Sequence, residues 1–437
     1  MTRAAPIVVI GAGHNGLVCA TYLARAGRKV ILIEAREEVG GAAVTQEFYP
    51  GFRISRVAHL LYQLEPRIER ELELARHGLR IARAHLRTVA LSTERAALVL
   101  DGPHILRGDV PPGERDAYAR WYLERTRFAR FVGRQHERIP PRLRFGTWRE
   151  RIEVAPLLWD LRPLGRDGMR DFLRVATMSI DDWLREYCSD PLLQGALALD
   201  GLLGTRLGPS SGGSVYSCWQ RASVGLSGAG GYRLPRGGIG AVSDALLGAA
   251  RAAGIELRLG QRASALDVAG GRVVGVRLAN GASVACSAVV AAVHPRTALL
   301  ELLGARHLDI EFARRVQRLR SVGTAAKLHL ALASLPRFAG VDAADLGERL
   351  VIAPDLEYIQ RAFNAAKYRR QATEPVFEIT LPSVHDPSLA PPGMHVLSAI
   401  VQYAPYDLAA GWPGARAAFL EQVLAVLERY APGIRRT

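Results

Sequence analysis

Lysine is nearly missing from this chain: of its 57 basic residues, only Lys29, Lys327 and Lys367 are lysine, and the others are arginine. The net charge of +15 is therefore spread along the whole sequence by arginine codons, and no zinc-finger, RNA-recognition or basic-zipper spacing accompanies it. Nucleic acid is not an expected partner. Cysteine is also scarce. Cys19, Cys188, Cys218 and Cys286 lie far apart, with no C-x-x-C pair and no metal-ligand spacing, which excludes a redox dithiol and a structural zinc site as expectations. No apolar run approaches the roughly 20 residues that span a bilayer. The opening Met1–Pro6 passes into an apolar strand without the apolar core of a signal peptide, so a cytoplasmic protein is expected. Repeats and low-complexity tails are absent as well.

What the chain has is a normal globular composition, 49% hydrophobic and 23% charged over 437 residues, enough for two domains. Ile7–Ile10 is a short apolar run suited to a strand buried on both faces. Asn15–Ala26 then carries Leu17, Val18, Tyr22 and Leu23 at helical spacing, Gly27 stops it, and Lys29–Glu34 reads as a second strand. From Pro66 to Arg185, arginine-rich segments with scattered aromatics predict several helices. Gly201–Gly240 reads as loops and short strands. Ala241–Ala253 has helical periodicity, and the strands Ile255–Leu259, Val273–Leu278, Ser283–Cys286 and Ser287–Val293 follow it.

Between the first strand and first helix stands Gly11-Ala-Gly-His-Asn-Gly16, a G-x-G-x-x-G set in the context that gives it meaning. Gly11 permits the tight turn, Gly13 lets a pyrophosphate approach the backbone, and Gly16 allows close helix packing. The helix start offers N–H groups and partial positive charge to phosphates. Glu34, ending the second strand, is placed to accept the ribose hydroxyls of an adenosine. His14, within the turn, is expected to contribute its backbone only. A second glycine pair, Gly40-Gly41, follows the acid closely and resembles the E-x-x-x-x-x-G-G extension of FAD-binding amine oxidases and phytoene desaturases, a resemblance that implies FAD over a nicotinamide dinucleotide.

The run Val9–Val18, with Gly40–Thr45, Pro50–Phe52 and Ser55-Arg56, resembles the phytoene-desaturase-like flavoproteins. Within them it is most similar to the subfamily named pyridine nucleotide-disulfide oxidoreductase domain-containing protein 2. Gly237–Leu246, Ser388–Gly393 and Gln402–Tyr406 extend the likeness over nearly the whole chain. The resemblance implies an α/β fold: a Rossmann-like FAD/NAD(P)-binding domain, a parallel sheet with helices, built from residues 1–75 and 235–300. An α+β substrate domain would comprise 76–234 and 301–437. It implies FAD held by Gly11, Ala12, Gly13, Asn15, Gly16, Glu34, Ala35, Arg36, Gly40 and Gly41, with the backbone of Ala263 meeting the adenine. Hydride would pass from an apolar or amphipathic organic substrate to the flavin N5.

The likeness has limits. Ala42 stands where amine oxidases carry arginine, and the F-D-x-G-P pattern of phytoene desaturases is absent from Phe52–Arg56, so carotenoid desaturation is not implied. The resemblance also implies a glycine-rich segment and a closing helix beyond Tyr430–Gly433, whereas the chain stops at Thr437; that segment is expected to be missing. His59 and Arg56 are the candidate catalytic side chains, and no metal site is expected. The arginine and aromatic helices between Tyr118 and Trp183 suit a solvated face, with peripheral membrane contact or cover over an apolar tunnel as alternatives. A catalytically silent interaction protein, a fragment of such an enzyme and an NAD-dependent dehydrogenase are the rival functions.

Overall fold

The computed structural model describes residues 5–140, 148–225 and 231–437, and they form two compact units. The first spans Met1–Ala82 and Leu234–Ser321; the second spans Arg83–Arg233 and Val322–Thr437.

The first unit is built on four short parallel strands in the order Glu256–Arg258, Val30–Ile33, Ile7–Ile10 and Ala288–Ala291. Both faces of this sheet are covered, which is why Val30–Ile33 is buried throughout and carries no polar alternation. On one face the helices His14–Arg25 and Gly240–Ala252 pack through Leu17, Ala20, Val242, Leu246 and Ala249. On the other, Val8, Ile10, Ile31 and Ile33 meet Val276, Leu278 and Val284 of an antiparallel sheet formed by Ala263–Ala269, Arg272–Leu278 and Ser283–Ala285. The layers are helix, parallel sheet, antiparallel sheet. This is the Rossmann-like α/β architecture implied by the glycine turn.

In the second unit, seven strands run in the order 325–332, 395–402, 376–380, 349–352, 88–90, 98–101 and 104–107, all antiparallel except the parallel pairing of 349–352 with 88–90. Period-two alternation sorts its residues between two cores. Val89, Val99, Leu350, Ile352 and Phe377 face the helix Trp412–Tyr430, through Phe419, Val423 and Leu427. Ala90, Leu98, Leu100, Val351 and Val376 join a larger core with the helices Glu114–His136, Pro191–Leu202 and Ser214–Gly225. There Trp121 and Trp183 lie 5.3 Å apart between ring centroids and Phe128 and Trp219 4.8 Å apart.

Two segments differ from the sequence expectation. Residues 81–107, expected to be helical, form four strands, because Leu98–Asp101 and His104–Arg107 make a hairpin and Thr88–Ala90 pairs with a strand some 260 residues later. Residues 214–225, within a stretch expected to be loops and short strands, form a helix that packs Val215, Cys218 and Trp219 into the core. Among the described residues no helix is long and apolar enough to cross a membrane.

Candidate functional site

The dinucleotide turn is assembled in the first unit by backbone contacts that only small residues permit. Gly11 N–H donates to the Ile33 carbonyl at 2.8 Å, which turns the chain at the end of the first strand. A Cβ on Gly16 would lie 1.9 Å from the Gly11 carbonyl oxygen, so the helix can begin there only without a side chain. Gly13 differs. Its backbone is extended (φ −68°, ψ 171°), and a Cβ there would meet nothing nearer than the Gly41 Cα at 3.9 Å. The space above Gly13 is therefore open for reasons other than folding.

Gly13 also caps the helix His14–Arg25 with no side-chain acceptor, and the first turn has no acidic residue. Its N-terminal N–H groups lack the side-chain cap that a helix start usually carries, which suits an anion. Asn15 lies exposed in that turn. Glu34 leaves the second strand with its carboxylate fixed by two backbone donors, Ala12 N–H at 2.7 Å and Arg36 N–H at 3.0 Å. The acid and the glycine turn thus form one rigid element. Ala35 and Arg36 are exposed beside it.

The second glycine pair is brought directly to the first. Gly40 N–H donates to the Ala12 carbonyl at 2.8 Å, Gly13 and Gly40 form an isolated parallel bridge, and a Cβ on Gly41 would reach the Gly13 Cα at 3.2 Å. Ile239 N–H donates to Ser55 Oγ and Gly240 N–H to Thr45 Oγ1, so the Gly237–Gly240 turn locks the segment that follows the pair. Arg56 donates from Nη2 to the Gly41 carbonyl at 3.2 Å, and this holds the turn in place. His59 is buried, with only 4% of its surface exposed. Ala263 opens its strand close to the acid's end of the site: Gln261 N–H donates to the Glu34 carbonyl and Gly260 N–H to that of Arg36. Gln261 Oε1 is buried without a hydrogen-bond partner among the described residues, an acceptor with capacity to spare.

All eleven expected cofactor residues thus lie in the first unit, and the two glycine segments, Glu34 and Arg36 are joined by hydrogen bonds. An uncapped helix start, open space over Gly13, a fixed carboxylate and a spare acceptor are the features an adenine dinucleotide requires. The residues fit the group.

The chemistry-bearing groups that sequence reading missed lie in the second unit. Arg349, 1% exposed, donates from Nε to Glu378 at 2.6 Å, from Nη2 to Asp200 at 2.7 Å and from Nη1 to Thr88 Oγ1 at 3.2 Å. Arg221 donates to Glu378 at 2.9 Å and to the Tyr232 hydroxyl, which itself donates to Asp200 at 3.0 Å. Burial alone would raise the Asp200 pKa, but Arg349, Arg221 and Arg125 hold it below the ordinary carboxylate value. Burial pushes the Cys188 and Cys218 thiols up to about 12, which keeps them protonated and unreactive.

Lys327 is the other unanticipated group. Its Nζ donates to Ser398 Oγ at 2.9 Å on the neighbouring strand, and burial lowers the amine to about 7 against the opposing pull of the Glu378 carboxylate. The available signal was one lysine in an apolar strand of an arginine-rich chain. The unfolded amine keeps its proton to about pH 10.4, so between about 7 and that value the unfolded chain binds one proton that the folded chain lacks. Stability should rise with pH across that window. Lys327→Met is expected to remove the rise and to melt higher than the wild type at pH 7. Melting curves from pH 6 to 9 check this, and an unchanged slope in the variant would refute it.

Comparison with known proteins places the chain in a family. Residues 16–432 match the family described as flavin containing amine oxidoreductase. The pyridine nucleotide-disulfide oxidoreductase domain-containing protein 2 of Rattus norvegicus is 32% identical over 98% of this chain and 79% of its own length. A phytoene dehydrogenase of Streptomyces griseus is 26% identical over 97% of this chain and 78% of its own. The crystal structure of an oxidoreductase from Methanosarcina mazei superposes with a TM-score of 0.60, at 20% identity, over 98% of this chain and 85% of that one. With a flavin family matched along nearly the full sequence, the nicotinamide alternative falls, and the chain belongs to the flavin containing amine oxidoreductase family as an FAD-dependent oxidoreductase.

Proposed function

We propose that the first unit is the FAD-binding domain, that the second is the substrate domain, and that the enzyme oxidises an apolar or amphipathic organic molecule by hydride removal. The observation that carries the reading is the uncapped helix start beneath an open Gly13, with the Glu34 carboxylate pinned beside it. When bound, FAD supplies a hydride acceptor at its N5. The chain's own residues bind and orient it. The N–H groups at the start of the first helix face the pyrophosphate, Glu34 takes the ribose hydroxyls, Ala35 and Arg36 border that sugar, and the backbone of Ala263 meets the adenine. The Gly40-Gly41 pair carries the chain past the pyrophosphate, and Arg56 acts as a positioning residue by holding Gly41.

The apolar substrate class is supported by the relative named for dehydrogenating phytoene, a hydrocarbon, and by the absence of the arginine that amine oxidases carry at Ala42. Anaerobic mixing of the yellow protein with long-chain alkenes or with primary amines tests it. Bleaching of the flavin absorbance by the alkenes is expected; bleaching by amines alone would reverse the assignment.

The second unit also suits peripheral contact with an anionic membrane. Leu158 and Trp159 of the helix Trp148–Leu161 and Leu173 of the helix Gly165–Val175 are 61%, 69% and 69% exposed. Arg162, whose guanidinium lies 5.3 Å from the Trp159 ring centroid, and exposed Arg166 and Arg170 flank them. Exposed indole and leucine beside arginine is the pattern of an interfacial helix. Trp159→Glu is expected to lower sedimentation with phosphatidylserine vesicles roughly tenfold, since it removes the exposed apolar ring that would enter the bilayer surface and adds a repelled charge. Equal sedimentation of variant and wild type would count against the contact.

A further inference from the structure

The second unit contains a partly open cavity of about 110 Å³ with the guanidinium of Arg125 on its wall. Three guanidiniums, Arg125, Arg221 and Arg349, share this region with two carboxylates, Asp200 and Glu378. Arg349 and Arg221 use up both carboxylates through short hydrogen bonds. Arg125 is left over. Among the described residues its one ion pair is a distant one, Nη1 to Asp200 Oδ2 at 3.8 Å, and its Nε is buried with no hydrogen-bond partner. Its guanidinium carbon lies over two aromatic rings, 4.5 Å from the Tyr122 centroid and 5.2 Å from that of Trp121, contacts that leave the Nε–H without an acceptor. His85 and Asp101, at the rim, bond each other at 2.7 Å and are 49% and 38% exposed, so water solvates that pair and it does not offset Arg125. Buried cations are ordinarily paired, and an unpaired donor beside a cavity calls for an acceptor that fills it.

Size, charge and wall chemistry narrow the occupant. An engineered apolar cavity of about 150 Å³ holds benzene, so 110 Å³ takes roughly four to six heavy atoms. One excess positive charge calls for a monoanion, and a guanidinium fork matches a carboxylate with two parallel hydrogen bonds. Leu100, Ala196 and Leu197 also line the cavity and give part of its wall a hydrocarbon surface. We propose that this cavity is a binding site for a small monocarboxylate of two to four carbons, its carboxylate on Arg125 and its alkyl end against Leu100 and Leu197.

Propionate, tested on the full FAD-loaded chain by titration calorimetry and thermal melting, is the probe. Saturable heat and a rising melting temperature are expected with propionate and with neither propionamide nor inorganic phosphate. Arg125→Met should weaken propionate binding roughly tenfold or more, since it removes a charge-assisted pair. Ala196→Leu, which fills the apolar end without touching the charges, should weaken it comparably. The proposal is overturned if propionate gives no saturable response, if propionamide or phosphate matches it, or if both variants bind propionate as the wild type does. The wild-type comparison of the three ligands decides the matter even where a variant fails to fold.

Discussion

Replacing Gly13 by aspartate is expected to give a protein that folds at least as stably as the wild type and carries no flavin. Three features of the site combine here. The extended backbone at Gly13 is open to any residue, and its missing Cβ would meet only the Gly41 Cα at 3.9 Å, so the fold does not require glycine there. Aspartate is among the best N-cap residues, and its carboxylate would accept from the uncapped N–H groups of the helix His14–Arg25, adding roughly a few tenths of a kcal/mol over glycine. The same carboxylate would take the donors and the partial positive charge that a pyrophosphate needs, and would repel it. A loss of two bidentate-quality contacts and an added like charge amounts to at least ~3 kcal/mol, more than a hundredfold in FAD affinity. Gly16→Asp is the control with the opposite cause: its Cβ would overlap the Gly11 carbonyl, so the unit itself should fail. A yellow, stoichiometrically loaded Gly13→Asp protein would show that the pyrophosphate does not cross this helix start.

That contrast also shows why the dinucleotide half was legible in the sequence. The strand Ile7–Ile10, the glycine turn, Glu34 and Gly40-Gly41 lie within 35 residues, and each acts on a close neighbour, so residue type and spacing carry nearly all the information. The second unit is built the other way. Thr88–Ala90 becomes a strand because Arg349–Ile352 lies beside it, and the surrounding Arg83, Arg87, Arg95 and Arg107 give the local sequence a helical, solvated look. Those arginines are in fact matched to acids far along the chain, Arg83 and Arg87 to Glu348 and Arg107 to Asp345. The helix Ser214–Gly225 was hidden by the glycines and serines around it, and packing of Trp219 overrides that weak propensity. Of the site candidates, Arg56 was found by position, but its hydrogen bond to Gly41 gives it the task of holding backbone. Arg349 and Lys327 had no local signature beyond being basic residues in apolar strands, and their significance depends on Asp200, Glu378 and Ser398 arriving from other elements.

Arg349 is for this reason the position where a single change should unsettle the second unit most. Its guanidinium is 1% exposed, bonds both Glu378 and Asp200, and lies 4.5 Å from the Tyr232 ring centroid. Arg349→Leu preserves hydrophobic volume but leaves Glu378, 2% exposed, and Asp200 with Arg221 and the more distant Arg125, and removing one partner of a buried pair costs about 3–5 kcal/mol. For a unit of this size that corresponds to a fall of roughly 6–20 °C in its melting temperature at pH 7. The pH dependence follows from the signs. In the wild type Asp200 is held below its unfolded value, so its contribution is complete above about pH 4 and is lost as pH falls through the folded value. In the variant the two acids lose their main counter-charge and burial raises them, so they take up protons at a higher pH folded than unfolded. The deficit should therefore shrink between pH 7 and 4. A variant that melts with the wild type at pH 7, or a gap that stays constant on acidification, would show that these ions are solvated and not buried. Changing Glu378 to leucine as well should recover part of the loss, because the expense lies in the stranded carboxylate and not in the missing guanidinium.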